Sequence, residues 1–374
     1  MDNLNSKIFF VSFWNPTPEN PGKGIFIHEQ AIVLSQTFQN FYFIEVNIGT
    51  NGNKIFEITS ELNSFGKGHR LKITISSLFW KIIYQIPKFS EVIIWNEINK
   101  HKLQGNIHII HANVVFPGGV VCLGLAKKAK ARLIISEHWS KVNLKIRNPY
   151  WGYQIKKTYN SAETVICVSD WLKHLIQEIS PQANISIIPN IVSTEYFYPK
   201  TSSKASNEYC FCCVATWELP KRLDLIIASL KEFAMESDKK IILNIVGEGS
   251  QLKQVDEDDL FNNFLVKKLG YLNKVTLGEI LRSSDYFIHA SNIETFSIVV
   301  AEALSCGLPV IASSVGALPQ IINIDNGILC NNTIKDWING VRTIVSNKYN
   351  KRTICENSKI YSPDNFVKQI SNLY

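Results

Sequence analysis

No apolar run in the 374-residue chain reaches the roughly 18 to 20 residues that a helix needs to cross a bilayer. The opening stretch MDNLNSKIFFVSFWNP lacks a basic region ahead of a long apolar one. It therefore reads as a first buried strand and not as a signal peptide. The expected location is cytoplasmic, with at most peripheral contact at the inner face of the membrane. Charged residues make up only 19% of the chain against 45% hydrophobic, which excludes an intrinsically disordered protein. The eight cysteines lack what a zinc site requires: Cys210, Cys212 and Cys213 stand close together, but no second Cys/His pair lies at zinc spacing. Their segment YCFCCVATW has the composition of a buried strand, and Cys122, Cys167, Cys306 and Cys330 sit in apolar segments as small core residues do. No metal is expected. Nor is there the alternation of basic and aromatic residues that would point to nucleic acid.

What is present is enough chain for two domains. Residues 1–199 carry 20 Lys and Arg against 13 Asp and Glu, a net of +7, while residues 200–374 carry 19 of each. The excess is concentrated in LAKKAKAR (125–132) and continues through Lys141, Lys145, Arg147, Lys156 and Lys157. Such a face suits an anionic lipid surface, and a solvated helix face is the plainer alternative. Val/Ile-rich runs (KIFFVSF, FYFIEVNI, LKITISS, IHIIHAN, RLIISEH, TVICVSD, ISIIPN) alternate with predicted helices at 25–38, 77–90, 118–130, 150–161 and 171–179. This is the pattern of parallel sheets buried on both faces, hence an α/β doubly wound domain. The polar stretch TEYFYPKTSSKASNEY reads as a linker. A second α/β series follows it: CFCCVAT, IILNIVG, FLVKKLG, DYFIHAS and PVIASS. The expected division is residues 1–199, residues 200–363, and a last helix at 364–374 packing back on either domain. Two Rossmann-like domains facing each other across a cleft would place ligands beyond the carboxyl ends of the strands, so the turns after the strands matter most.

One such turn leads into ETFSIVVAE (294–302), with Glu294 and Glu302 eight residues apart. DYFIHAS predicts the strand and NIE the turn. The helix should begin near Phe296 or Ser297, run to Ser305, and be stopped by Gly307 and Pro309. The first amides of a helix have no intrahelical partner and carry the positive end of its dipole, which makes an anion site. Eight residues span roughly 12 Å if all are helical. A diphosphate at this helix start would then have one carboxylate on either side, placed to accept hydrogen bonds from a sugar and a ribose. Two glutamates on a core helix are the plain alternative. In IVGEGSQL, Gly247 and Gly249 follow a strand and allow close approach to a ligand, or simply a tight turn. In VATWELPKRLD, Lys221 and Arg222 stand where a helix begins, a placement that opposes the dipole unless an anion or solvent compensates. NPGKGIFIHEQ (20–30) places glycines before a helix and suits a loop near phosphate.

With these motifs in order, the chain resembles the retaining glycosyltransferases of family 4, which have the GT-B fold. SNIETFSIVVAEALSCGLPVIASSVGALPQII is similar to the family signature, and VATWELPKRLDLIIASL, IVGEGSQL, KKLGYL, IIPNIVSTEYFYP and SEHWS follow the family's order. The resemblance implies a metal-independent transfer, hexosyl in type, from a nucleotide diphosphate sugar (UDP-sugar first, GDP-sugar second) to a glycan or polyprenyl-linked acceptor in surface polysaccharide assembly. It implies no further cofactor. Glu294 would contact the donor sugar, Glu302 the ribose, and Lys221 the diphosphate together with the amides of Phe296, Ser297 and Ile298. Gly24 would let its loop approach the diphosphate. His138, otherwise a packed or capping histidine, would lie beside the transferred sugar. The family often has arginine where this chain has Thr216, glycine where it has Arg222 and Ser297, and Gly and Glu where it has Ala317 and Gln320. Arg222 is a candidate replacement for the missing charge. A non-catalytic nucleotide-sugar-binding protein and a sugar-nucleotide epimerase of the same fold are the rival readings.

Overall fold

The computed structural model describes residues 6–17, 22–50, 55–199, 207–255 and 263–374. The chain divides into two compact units, Met1–Pro189 with Val367–Tyr374, and Asn190–Phe366. The first boundary falls ten residues before the expected 199, and residues 200–206 of the expected linker lie outside the described residues.

Among the described residues the first unit holds one eight-stranded sheet. Its strands are β1 (Lys7–Ser12), β2 (Phe41–Gly49), β3 (Phe56–Phe65), β4 (Gly68–Ser77), β5 (Ile107–Asn113), β6 (Arg132–Glu137), β7 (Thr164–Cys167) and β8 (Ile185–Ile187). Their order is β3-β4-β2-β1-β5-β6-β7-β8. All pairs are parallel except β3 with β4, which form an antiparallel hairpin. Continuous apolar runs mark the parallel strands because both faces are covered: Phe9, Phe10, Phe41, Phe43, Ile109 and Ile134 are fully buried. The edge strand β3, FEITSELNSF, is half exposed and polar, and the apolar-run reading passed over it.

Helices at Ile25–Thr37, Val120–Ala129, Pro149–Ser161 and Asp170–Ile179 follow the expected positions. The helix expected at 77–90 is instead two, Trp80–Tyr84 and Pro87–Lys100. Proline at the first helical position explains the second start, since its missing N–H would have no partner there.

The second unit holds a six-stranded, all-parallel sheet of β9 (Glu208–Val214), β10 (Lys240–Val246), β11 (Phe264–Gly270), β12 (Tyr286–His289), β13 (Val310–Ser313) and β14 (Gly327–Cys330). The order is β11-β10-β9-β12-β13-β14. Beneath it the helices Leu223–Glu236 and Ile334–Ser346 contribute Ile226, Leu230, Trp337 and Val341 to a core shared with Phe211, Leu243 and Phe264. Each such side chain stabilises the unit by roughly 1.5–3 kcal/mol through the water it sheds. The order reverses at the β9/β12 pair: from β9 the chain winds outward to β10 and β11, then returns to β12 on the other side. This pair is the topological switch point of the sheet, beyond whose carboxyl ends open α/β sheets bind their ligands.

Candidate active site

The loop after β9 runs through Trp217 and Pro220 to Lys221, and the loop after β12 runs through Ser291 to Glu294. The switch point lays them side by side. Lys221 and Ser291 form an isolated antiparallel bridge, the Arg222 amide donates to the Ala290 carbonyl at 3.1 Å, and the Asn292 amide to the Pro220 carbonyl at 3.0 Å. A second set of bonds fixes the β12 loop from below. The Ser291 amide donates to Ser313 Oγ (2.9 Å), that hydroxyl donates to Asn332 Oδ1 (2.7 Å), and Asn332 Nδ2 donates to the Ser291 carbonyl (2.9 Å).

On this frame Lys221 Nζ is ion-paired with Glu294 Oε1. His289, the last residue of β12, lies 2.8 Å from the same oxygen through Nε2, 3.5 Å from Lys221 Nζ and 3.3 Å from Ser297 Oγ. His289 is 1% exposed and Glu294 9%. Burial alone would raise the Glu294 carboxyl, but the bond from His289 and the Lys221 charge hold it down to about 2. Burial and the Lys221 charge lower His289 in turn, against the pull of the Glu294 carboxylate. Its Nδ1 is buried without a partner. The cluster is thus a carboxylate held ionised by Lys221 and by the bond from His289. The sequence reading missed His289, although it ends the very strand that leads into the signature turn.

The helix after this turn is Ile298–Ser305, so only the second half of the Glu294–Glu302 interval is helical and the 12 Å all-helical span does not apply. Val300 and Ala301 amides donate to the Ser297 carbonyl, which leaves the amides of Ser297 and Ile298 at the helix start without intrahelical acceptors. Ser297 has φ 71°, a left-handed conformation that favours glycine, the residue usual there in the resemblance. Its hydroxyl is what the histidine meets. The backbone of Glu294 is held by the Ala317 amide at 3.0 Å. Glu302 is 4% exposed, with Lys274 Nζ 4.0 Å away. Phe296 is buried, its ring 5.4 Å from Tyr361.

Other expected residues lie apart from this cluster. Arg222 is ion-paired with Asp224 (2.7 Å), and Thr216 is exposed. Gly247 has φ 107°, and a Cβ there would overlap the Ala215 carbonyl, so the β9 and β10 ends can meet only at glycine. Gly249 opens a 3-10 turn, Ser250–Gln254.

In the first unit Gly24 caps the helix Ile25–Thr37 with φ 66°. His138 follows β6; it is buried against Phe26 (4.5 Å between rings), and neither ring nitrogen has a partner. Burial lowers it to about 3. It is carried by Glu137, also missed in the sequence, whose fully buried carboxylate accepts from the amides of Val115, His138 and Trp139 (3.0 Å each) and from Tyr159 (2.8 Å). Burial raises the Glu137 carboxyl despite these donors. Among the described residues no three His, Cys, Asp or Glu side chains are placed to hold a metal ion, and all eight cysteines are free.

Residues 196–360 match the family Glycosyl transferases group 1, and residues 61–196 match Glycosyltransferase Family 4. The chain belongs to the group 1 glycosyltransferases of family 4. An uncharacterised glycosyltransferase of Methanocaldococcus jannaschii is 27% identical over 277 residues, covering 71% of this chain and 75% of that protein. The N-acetyl-alpha-D-glucosaminyl L-malate synthase of Bacillus anthracis is 22% identical over 327 residues, covering 84% and 81%. Among solved structures, Anabaena HepE in complex with UDP and glucose superposes with a TM-score of 0.70 at 16% identity, covering 98% of this chain and 99% of that one. The glycosyltransferase therefore has the GT-B fold.

Proposed function

We propose that this glycosyltransferase moves a sugar from a nucleotide diphosphate sugar, with retention of configuration and without a metal. The acceptor is a glycan or a lipid-linked saccharide of polysaccharide assembly. The observation that carries the reading is the Lys221–Glu294–His289 cluster beside the open amides of Ser297 and Ile298 at the β9/β12 switch point. The bond between the anomeric carbon and the diphosphate oxygen breaks, and the developing negative charge falls to Lys221 and to the helix amides. Glu294, kept ionised, accepts from hydroxyls of the donor sugar; Glu302 does the same for the ribose. The acceptor hydroxyl adds on the face the diphosphate leaves, and its proton passes to a donor phosphate oxygen. His138, buried with both ring nitrogens unpartnered, is suited to the hydroxyl side of the sugar. UDP is the first choice of nucleotide, supported by the UDP in the Anabaena complex. The basic excess of residues 1–199 supports a lipid-carried acceptor at an anionic surface.

Proton NMR with a panel of UDP-, GDP-, ADP- and dTDP-sugars tests the proposal. Slow hydrolysis of one donor is expected, with the first-formed sugar retaining its configuration. Glu294→Gln and Lys221→Ala should each lower the rate by about 10²–10³-fold, the scale for losing a group aimed at developing charge. An inverted product, or variants as active as the parent, would overturn the mechanism.

A further inference from the structure

Residues 78–92 place six large apolar side chains on the surface of the first unit: Leu78, Phe79, Ile82, Ile86, Phe89 and Val92. Phe79 and Ile82 are 58% and 57% exposed. Single exposed apolar residues are ordinary, but a contiguous set is not. These six are not misplaced core. The helix Trp80–Tyr84 already buries Ile83, and the helix Pro87–Lys100 buries Ile93, Ile94 and Ile98. The strip is extended by Ile55 and Phe56 at the start of β3. The Ile55 carbonyl accepts from Ser77 Oγ at 2.8 Å, and the ring of Phe56 lies 5.9 Å from that of Phe89.

Within residues 78–92 the exposed charges are Lys81 and Lys88. The single acid there, Glu91, is buried and paired with Lys88 (2.8 Å) and Lys128 (3.1 Å). Lys145 Nζ bonds Gln85 Oε1 at 3.3 Å and ties the strip to residues 138–157, which hold five Lys and Arg and no Asp or Glu. That segment also exposes Leu144, Tyr150 and Tyr153. Apolar side chains rimmed by cations and tyrosines complement an anionic bilayer, whose acyl boundary takes the former and whose headgroups meet the latter. On its other side the same short helix turns Trp80 and Tyr84 into a cavity of about 710 Å³, lined also by Asn15, Glu45, Asn47 and Lys72. Aromatic rings with a carboxylate, amides and an ammonium suit a polyhydroxylated headgroup.

We propose that the strip Leu78–Val92 is the membrane-docking face of this protein, inserting into an anionic bilayer. The cavity behind Trp80 and Tyr84 then receives the headgroup of an acceptor drawn from that bilayer, a second step that rests on the glycosyltransferase reading. The test is sedimentation of the full chain with vesicles of phosphatidylcholine and phosphatidylglycerol, at low and high salt. Tryptophan quenching by brominated lipid is read in parallel. Binding should keep a salt-resistant part, with quenching. Phe79→Ser with Ile82→Ser should lower partitioning by roughly tenfold or more and abolish quenching. Lys141→Ser with Arg147→Ser should weaken only the low-salt part.

Vesicle binding of the strip variant equal to the parent overturns the proposal. So does a parent that ignores vesicles and self-associates through these residues, which would make the strip a protein interface. Donor hydrolysis without vesicles, measured on the same samples, should be unchanged in the strip variant. Vesicle binding with no hydrolysis in any sample would sink the enzymatic reading and leave docking standing.

Discussion

At the scale of single residues, the site is a balance of charge against burial. Glu294 is ionised because His289 and Lys221 outweigh its desolvation, and its folded-state value of about 2 lies below the ordinary 4.5. A depressed carboxyl contributes stability that is present above pH 4.5 and lost as pH falls through about 2. Glu294→Gln should therefore flatten the acid limb of a stability–pH curve between those values, as read by urea midpoints. Ser297 presents the opposite economy. Its left-handed φ costs on the order of 1 kcal/mol relative to glycine and gains a hydroxyl at 3.3 Å from His289. Ser297→Gly should raise stability by up to about 1 kcal/mol, while Ser297→Ala keeps the strain and loses the hydroxyl. Urea denaturation of the two variants separates the contributions. If both shift alike, the strain argument fails.

Among elements, the ends of β6 and β12 do most of the positioning. Glu137 ties the end of β6 to Val115, two residues past β5, and to Tyr159 on the helix Pro149–Ser161. Glu137→Gln would face an amide nitrogen against one of those donors and should cost about 1–3 kcal/mol. The same change should lower turnover, because His138 rides on that carboxylate; a thermal melt and a rate assay report the two effects. His111 and His138 are both buried and lowered to about 3, so the unfolded chain takes their protons first. Stability should fall as pH drops from 6.5 towards 3, and His138→Gln should lessen that fall. By contrast the helix Lys351–Ser358 is capped by Asn350, which accepts from the amides of Arg352 and Thr353. Asn350→Ala should cost about 1 kcal/mol and leave donor hydrolysis unchanged.

For the whole molecule, two compact units make a single unfolding free energy a poor description, and each should respond to its own perturbation. A donor nucleotide at a hundred times its dissociation constant should add about 2.7 kcal/mol to residues 190–366 and raise their melting temperature by roughly 5–10 °C. Calorimetry should find that rise absent in Lys221→Ala. Residues 367–374 belong to the first unit: Tyr374 Oη meets His111 Nδ1 at 2.6 Å, and Arg132 donates to the Leu373 carbonyl at 2.7 Å. Tyr374→Ala should destabilise that unit by about 2–4 kcal/mol while leaving the transition of the other unmoved.

The amino-acid sequence by itself determined the α/β class, because strands buried on both faces must be written as unbroken apolar runs. It also marked Glu294, Glu302 and Lys221, because a turn after a strand followed by a helix start has a local signature. It did not reveal β3, whose half-exposed edge position needs no apolar run. His289 and Glu137 stayed silent for a different reason: inside an apolar strand, a histidine or glutamate reads as an irregularity until its partners are known. Those partners lie far along the chain, with Lys221 68 residues from His289 and Tyr159 22 from Glu137. Strand order alone brings them together. The turn of Arg222 towards Asp224 and the exposure of residues 78–92 were likewise decided only in three dimensions. A side chain's direction and the accessible face of an amphipathic segment depend on what the fold packs against them.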